Sequence, residues 1–392
     1  MGEWKEYKIK DLGLVVTGKT PSSTFPEEFG SEMPFVTPTD FRNYRKLASF
    51  AERNLSAKGI EKLRNKVLPP SSILVTCIGS DMGKIVMNRV PVITNQQINA
   101  IIPNQELVSP DFLYYMLVDC YETLRMYSQA GTAVPILNKG DFEEINLTIP
   151  SDLSEQKTIA SILSSLDDKI DLLRRQNKTL EALAETLFRQ WFVEEAEGEN
   201  VKLGDAVKTS SGGTPSRSKM EYYSNGTIKW VKSKELQGSF IFETEEKVTD
   251  DAVKNSSAKL FPANTILIAM YGATVGEYGI LAEPATCNQA ICALLPNENY
   301  PYTFLFILTK FNKENLINMA GGSAQQNISQ ELIQELEIPK STDRIKEFHN
   351  ETEPMFLKIK LNTTQIHTLI RLRDTLLPKL MSGEVRVRYE NN

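Results

Sequence analysis

Between residues 159 and 191 the apolar positions alternate by four and three: Ile159, Leu163, Leu166, Ile170, Leu173, Asn177, Leu180, Ala184, Leu187 and Trp191. Such spacing, held over more than four heptads, predicts one long helix with a coiled-coil seam. Ser154, with Glu155 and Lys157 close behind it, makes a start, and Gly198 follows the end. At ~1.5 Å per residue, 154–194 would span roughly 60 Å. A second, less regular seam runs through Phe348, Thr352, Met355, Ile359, Asn362, Ile366, Leu369, Arg373, Leu376 and Leu380. Thr352 and Arg373 weaken it, and Pro354 predicts a kink or interruption near its beginning. Each seam carries one asparagine, Asn177 or Asn362, which fixes register if buried.

Outside the two helices the pattern shortens to β-type runs such as Ile73-Leu74-Val75 and Ile266-Leu267-Ile268, punctuated by Gly, Pro and Asn. Further helical stretches fall near 112–127 and 303–319. The globular parts are also copies of one another. Residues 68–103 align without a gap to 261–296, with 11 of 36 positions identical. Gly18-Lys19-Thr20-Pro21-Ser22 answers Gly212-Gly213-Thr214-Pro215-Ser216, and Ile149-Pro150 answers Ile338-Pro339. A unit of about 190 residues is therefore written twice. The expected fold is α+β: two similar globular domains (1–150 and 199–340) and two spacer helices (151–198, and 341–392 with the C-terminal tail). The helices are expected to pair as an antiparallel intramolecular coiled coil with pseudo-two-fold symmetry.

Composition changes this picture little. The 392 residues carry 44 Lys+Arg against 50 Asp+Glu, a formal charge of −6. Segment by segment the balance is −1 for 1–150, −5 for 151–199, −2 for 200–340 and +2 for 341–392, so the acidity sits mainly in the first helix. No stretch is long and apolar enough to span a membrane, and the N-terminus has no signal pattern, which points to the cytoplasm. Four cysteines without C-x-x-C spacing read as reduced thiols. The only histidines, His349 and His367, fall in one late helix, which excludes a His-based triad in the globular parts.

No motif assembles a reaction centre. Gly79-Ser80-Asp81-Met82-Gly83-Lys84 lacks the spacing of a phosphate loop, and its glycines read as turns. Asp167-Asp168-Lys169 reads as a charged coiled-coil face. The chain is expected to be a binding or scaffolding component rather than an enzyme, with no metal and no cofactor of its own.

Local positive charge supplies candidate contacts to nucleic acid. In the first half these are Lys19, Thr20, Ser22, Thr39, Arg42, Asn43, Arg45, Lys84 and Gln96. In the second they are Thr214, Ser216, Arg217, Lys219, Lys232, Ser233, Lys234, Tyr271 and Gln289. Arg and Lys hold phosphates, while Arg, Asn, Gln and Ser read base edges. An ordinary solvated face explains the same charges, and a turn or amide network explains Asn95-Gln96 and Asn288-Gln289 equally well.

The duplicated plan resembles the specificity subunit of type I restriction–modification systems. The matching residues are Gly212-Gly213-Thr214-Pro215-Ser216 followed by Ile228-Lys229-Trp230-Val231, then Thr94-Asn95-Gln96-Gln97 and Cys287-Asn288-Gln289. They continue through Ser154-Glu155-Gln156-Lys157, Leu187-Phe188-Arg189-Gln190-Trp191-Phe192 and Leu376-Leu377-Pro378-Lys379-Leu380-Met381-Ser382-Gly383-Glu384. The resemblance implies two target-recognition domains, each reading half of a bipartite, asymmetric site in double-stranded DNA. It also implies helices that bind two modification subunits carrying S-adenosylmethionine, joined by restriction subunits that use ATP and Mg²⁺. The alternatives are the specificity chain of a related type II system, or a coiled-coil scaffold with two ligand-binding domains.

Overall fold

The computed structural model describes residues 3–22, 24–79, 81–126, 136–196, 198–320, 327–340 and 343–388. The chain divides into two compact units, Met1–Lys169 with Leu369–Asn392, and Ile170–Thr368. Each is α+β.

Unit 1 is centred on a five-stranded sheet. In chain order its strands are β1 (Gly13–Thr17), β2 (Leu47–Ala48), β3 (Ile73–Thr76), β4 (Ile85–Asn88) and β5 (Ile98–Pro103). Their spatial order is β1-β5-β3-β4-β2, antiparallel except for the β4–β2 edge. β3 and β4 are buried at every position because both faces of the sheet are covered. Ile73, Val75, Ile85 and Met87 face α1 (Pro110–Asp119) and the start of the long helix α2 (Leu153–Arg189). Leu74, Val86 and Ala100 face the other way, onto Val36, Phe41 and Tyr44 of a small outer lobe. A separate strand pair, Trp4–Lys8 with Asn146–Pro150, leads into α2.

Unit 2 repeats the plan. Its sheet contains β6 (Lys208–Ser211), β7 (Phe240–Ile241), β8 (Ile266–Ala269), β9 (Tyr278–Leu281) and β10 (Ile291–Leu295), in the spatial order β6-β10-β8-β9-β7. The β9–β7 edge is again parallel. One face packs on α3 (Tyr302–Phe311) and the long helices, the other on Val231, Leu236 and Phe261. The strand pair Asn200–Lys202 with Glu337–Pro339 precedes the second long helix, α4 (Asp343–Met381).

In each unit segments of α2 and α4 pack together antiparallel. In unit 1, Ile159 and Leu163 share a core with Leu380 and Met381, and Asp167 bonds Arg373 at 2.9 Å. Within unit 2, Phe188 meets Phe348 at 6.0 Å between ring centres, and Asn362 Nδ2 donates to Asn177 Oδ1 at 2.8 Å. Leu163, Ile170, Leu173, Asn362 and Ile366 are buried. Leu166, Asn177, Leu180, Leu187, Met355, Ile359, Leu369 and Leu376 are half-buried, so every seam position turns inward.

Two expectations are corrected. Pro354 does not interrupt α4, which runs unbroken from Asp343 to Met381. Proline costs a helix one hydrogen bond and a clash, roughly 3 kcal/mol, and buried Phe348, Thr352 and Phe356 on the adjoining turns hold the helix in place. Nor does Asp167 lie on a solvated face. Its carboxylate accepts from the Tyr115 hydroxyl at 2.6 Å and from Arg373, and burial with that carboxylate pushes the phenol pKa up. Arg373 thus stands in the seam as the partner of Asp167. Thr352 sits there fully buried, its hydroxyl donating to the Phe348 carbonyl at 2.7 Å.

Candidate nucleic-acid interface

Strand register brings the candidate loops of unit 1 together. Thr17 at the end of β1 pairs with Asn99, and Thr76 at the end of β3 pairs with Ile98 at the start of β5. The segments Gly18–Ser22, Thr94–Gln97 and Cys77–Lys84 therefore leave the same end of the sheet. A fourth joins them. Phe35–Val36 runs parallel to Ile93–Thr94, so the turn Pro38–Asn43 begins beside Asn95.

The first two loops are locked by close backbone approach. Lys19 N–H donates to the Thr94 carbonyl at 2.9 Å, and a Cβ on Gly18 would stand 2.2 Å from the Asn95 carbonyl oxygen. Only glycine fits there. Asn95 shapes the turn, its Oδ1 accepting from Gln97 N–H at 3.1 Å. Gln96 stays exposed and accepts from the Thr20 hydroxyl at 2.6 Å. Gly79 and Gly83 take φ of +86° and +91°, where side chains are strained, and turn the chain between β3 and β4.

Unit 2 repeats these contacts. A Cβ on Gly212 would meet the Cys287 carbonyl oxygen at 2.2 Å, and Gly213 N–H donates to that carbonyl at 2.8 Å. Asn288 Oδ1 accepts from Ala290 N–H at 3.2 Å, and exposed Gln289 accepts from the Thr214 hydroxyl. Trp230 Nε1 donates to the Gly213 carbonyl at 3.0 Å and so braces the loop from below. In both copies the asparagine serves the turn and the glutamine faces out.

Five of the eight candidate cations, Arg42, Lys84, Arg217, Lys232 and Lys234, have carboxylate partners that sequence reasoning did not find. Arg42 pairs with Glu52 at 2.6 Å and Lys84 with Asp81 at 2.7 Å. Arg217 pairs with Glu246 at 2.5 Å and lies over the Tyr223 ring at 4.4 Å. Lys232 bonds Glu246 and Glu245, and Lys234 meets Glu245 at 2.8 Å. Hydrogen bonds from Arg217 and Lys232 hold the Glu246 carboxyl below its usual range, and those from Lys234 and Lys232 do the same for Glu245. Three cations and two carboxylates thus form one chain of ion pairs. The outer pair, Lys234 with Glu245, is exposed and contributes little to stability, while Lys232 and Glu246 at the centre are half-buried.

The structure brings together Thr20 with Gln96, Thr214 with Gln289, and Arg217, Lys232 and Lys234 through their shared acids. Lys19, Ser22, Ser216 and Tyr271 are exposed on these loops or at their edges, and Ser233 lies half-buried in the turn that carries Lys232. Thr39, Arg42 and Asn43 are exposed on the Pro38–Asn43 turn, with exposed Arg45 just beyond it. Lys219 donates to the Tyr222 hydroxyl at 3.0 Å. Among the described residues no group of three or more His, Cys, Asp or Glu could hold a metal ion. Nor is any helix among them long and apolar enough to cross a membrane.

Comparison with known proteins gives one answer at every level. The family model described as "Type I restriction modification DNA specificity domain" matches residues 1–182 and again 195–340. The type I restriction enzyme MjaIX specificity subunit of Methanocaldococcus jannaschii is 30% identical, over 98% of this chain and 94% of its own length. The HindI specificity subunit of Haemophilus influenzae is 24% identical, over 98% of this chain and 100% of its own. Among solved structures, the type I restriction–modification S subunit from M. genitalium superposes with a TM-score of 0.63 at 18% identity. It covers 99% of this chain and 97% of its own, a likeness of fold.

Proposed function

Because this chain belongs to the type I restriction–modification DNA specificity family, and is thus a non-catalytic specificity subunit, we propose that each globular domain (1–150 and 199–340) reads one half of a bipartite, asymmetric site in double-stranded DNA. The observation that carries this reading is the duplicated loop device, Thr20–Gln96 in one unit and Thr214–Gln289 in the other. In each unit a rigid backbone clamp presents an outward glutamine amide beside hydroxyls and paired cations. A side-chain amide can bond both the N6 and N7 edges of adenine. The cations hold phosphates, which position the domain without specifying sequence. With five of those cations already paired to acids, the lone chain binds DNA weakly and with strong salt dependence.

In this reading the helices 151–198 and 341–392 set the gap between half-sites and dock two modification subunits. S-adenosylmethionine is held by those subunits, and ATP and Mg²⁺ by restriction subunits that complete the assembly. The work takes place where the DNA is, in the cytoplasm.

Sequencing methylated adenines in a host expressing the system tests the reading. Gln96→Ala should relax one half-site and Gln289→Ala the other, each by about 1–3 kcal/mol of discrimination at one base pair. Lengthening both helices by a few residues should change the gap and leave both half-sites intact. Loss of both half-sites together from either glutamine variant, or an unchanged gap, would defeat it.

A further inference from the structure

The turn beside each Asn-Gln loop is built the same way in both units. Phe35 N–H donates to the Arg53 carbonyl at 2.9 Å and Trp230 N–H to the Glu246 carbonyl at 3.2 Å, so Glu52 and Glu245 hold matching places. Five residues on from Phe35, buried Asp40 accepts from Thr37 N–H with one oxygen and from Glu52 N–H with the other, each at 2.8 Å. Five residues on from Trp230, Glu235 accepts from Lys232 N–H and from Glu245 N–H, each at 2.7 Å. One acid thus shapes the turn and fixes the backbone of a second acid beside it. The second acid meets a cation of the turn, Glu52 with Arg42 at 2.6 Å and Glu245 with Lys234 at 2.8 Å.

The two cations do not come from matching positions. Arg42 lies two residues after the first acid, and Lys234 one residue before it. Two unlike turns therefore end in the same kind of ion pair. All four side chains are more than half exposed, so the pairs add little to stability, and folding does not explain their recurrence.

We propose that Arg42–Glu52 and Lys234–Glu245 each read a G·C base pair, one in each half-site. The proposal rests on the reading of the two domains given above and names a base pair that each half-site must contain. A carboxylate fixed beside a cation is out of place at a phosphate, which it repels. At a base edge it has a use. In the major groove guanine offers the acceptors N7 and O6, and its cytosine partner offers the N4 amine as a donor. The cation bonds the guanine acceptors, while the carboxylate accepts from the amine and holds the cation in line. An A·T pair reverses both places, because adenine N6 is a donor and thymine O4 an acceptor. Both halves of the ion pair are then opposed, so the wrong base pair is rejected as well as the right one bound.

Sequencing methylated adenines in a host that expresses the whole system tests this, with melting of each purified variant alongside. Each half-site of the unaltered protein should contain a G·C pair. Glu52→Gln should let A·T replace it at one position of one half-site, discrimination there falling about tenfold or more. Glu245→Gln should do the same in the other half-site, and Arg42→Ala should relax the position that Glu52→Gln relaxes. All three keep the backbone bonds of the turn and should melt with the unaltered protein. Glu106 and Glu298 are exposed and lie three residues past β5 and β10, at the sheet ends away from these loops. That is a strand's length away, ~16–20 Å, beyond the ~8 Å over which salt screens charge. Glu106→Gln and Glu298→Gln should therefore leave both half-sites unchanged. A half-site without a G·C pair, or a Glu52 or Glu245 variant that shifts methylation evenly at every position, would overturn the ion-pair proposal and leave the specificity reading standing. Methylation patterns untouched by these variants and by Gln96→Ala and Gln289→Ala alike would overturn both.

Discussion

Lys46, Tyr115, Asp167 and Arg373 join the sheet of unit 1 to its helices through polar groups. Lys46 bonds Asp111 at 2.6 Å and the Ser164 hydroxyl at 2.7 Å, and lies 4.7 Å from the Tyr115 ring centre. Tyr115 bonds Asp167, which bonds Arg373. The positions that answer these four in unit 2 are Ser239, Ile307, Phe356 and Ala184. There the joint is made of rings: Phe356 packs against Phe306 at 5.3 Å, Tyr302 at 5.8 Å and Phe240 at 6.4 Å. One backbone plan is thus closed once by directional bonds and once by buried area. The first fixes angles and fails when a partner is lost, whereas the second tolerates rotation and fails when volume is lost.

The comparison breaks most sharply at Phe356, which is 1% exposed. Phe356→Ala should cost about 3–5 kcal/mol, read by denaturant unfolding, with unit 2 opening before unit 1. Asp167→Ala removes the carboxylate that the Tyr115 hydroxyl and half-buried Arg373 share, while Arg373 keeps its bond to Asp374 at 2.8 Å. It should cost less, about 2–3 kcal/mol, and unit 1 should open first. Replacing Asp167, Arg373 and Tyr115 together by Leu, Leu and Phe should recover most of that loss. A triple variant no more stable than Asp167→Ala would show that the polar joint is not interchangeable with an apolar one.

The order of opening has an internal reporter. Cys77 and Cys120 lie in unit 1, Cys287 and Cys292 in unit 2. Burial pushes the Cys77 and Cys120 thiols up to about 11 and Cys292 up to about 12. At pH 8 an alkylating reagent should therefore leave the folded chain almost unlabelled. In the Asp167 variant Cys77 and Cys120 should react first, and in the Phe356 variant Cys287 and Cys292.

A smaller difference lies in acid response. Glu144 bonds both Lys10 and Lys8, and those bonds lower its pKa to about 2 from the usual 4.5. Its counterpart in unit 2, Glu335, meets one cation among the described residues, Lys202 at 2.6 Å. A carboxylate with a lowered pKa contributes stability above pH 4.5 that fades as the pH falls toward about 2. Glu144→Gln should lower the melting temperature slightly at pH 7, and the gap from the unaltered chain should close as melts are taken down to pH 2.

The duplication, the helical seam and the α+β character were legible because they are periodic or repeated, and all twenty seam positions named from the spacing are buried or half-buried. The joint of unit 1 was not legible. A heptad count assigns Asp167 to the outside and Arg373 to a defect, since the two stand 206 residues apart and neither alone announces the other. Pro354 misled for a related reason, because its neighbours' burial is a tertiary fact. At the site, the Gly-x-Thr-Pro-Ser and Asn-Gln loops stood out as repeats. Glu245 and Glu246, which neutralise Arg217, Lys232 and Lys234, did not, because nothing in their order along the chain marks them as counter-ions.

Unit 1 is assembled from residues up to 169 and residues from 369 onward. A ribosome adding about 5–20 residues per second spends roughly 10–40 s on the stretch between. Throughout that interval Trp4, Ile159 and Leu163 wait without the cover that Leu380, Met381 and Val387 later provide. The nascent chain thus carries an exposed apolar face that a chaperone can hold. A chain that stops short of Leu369 lacks the segment that completes the core of unit 1.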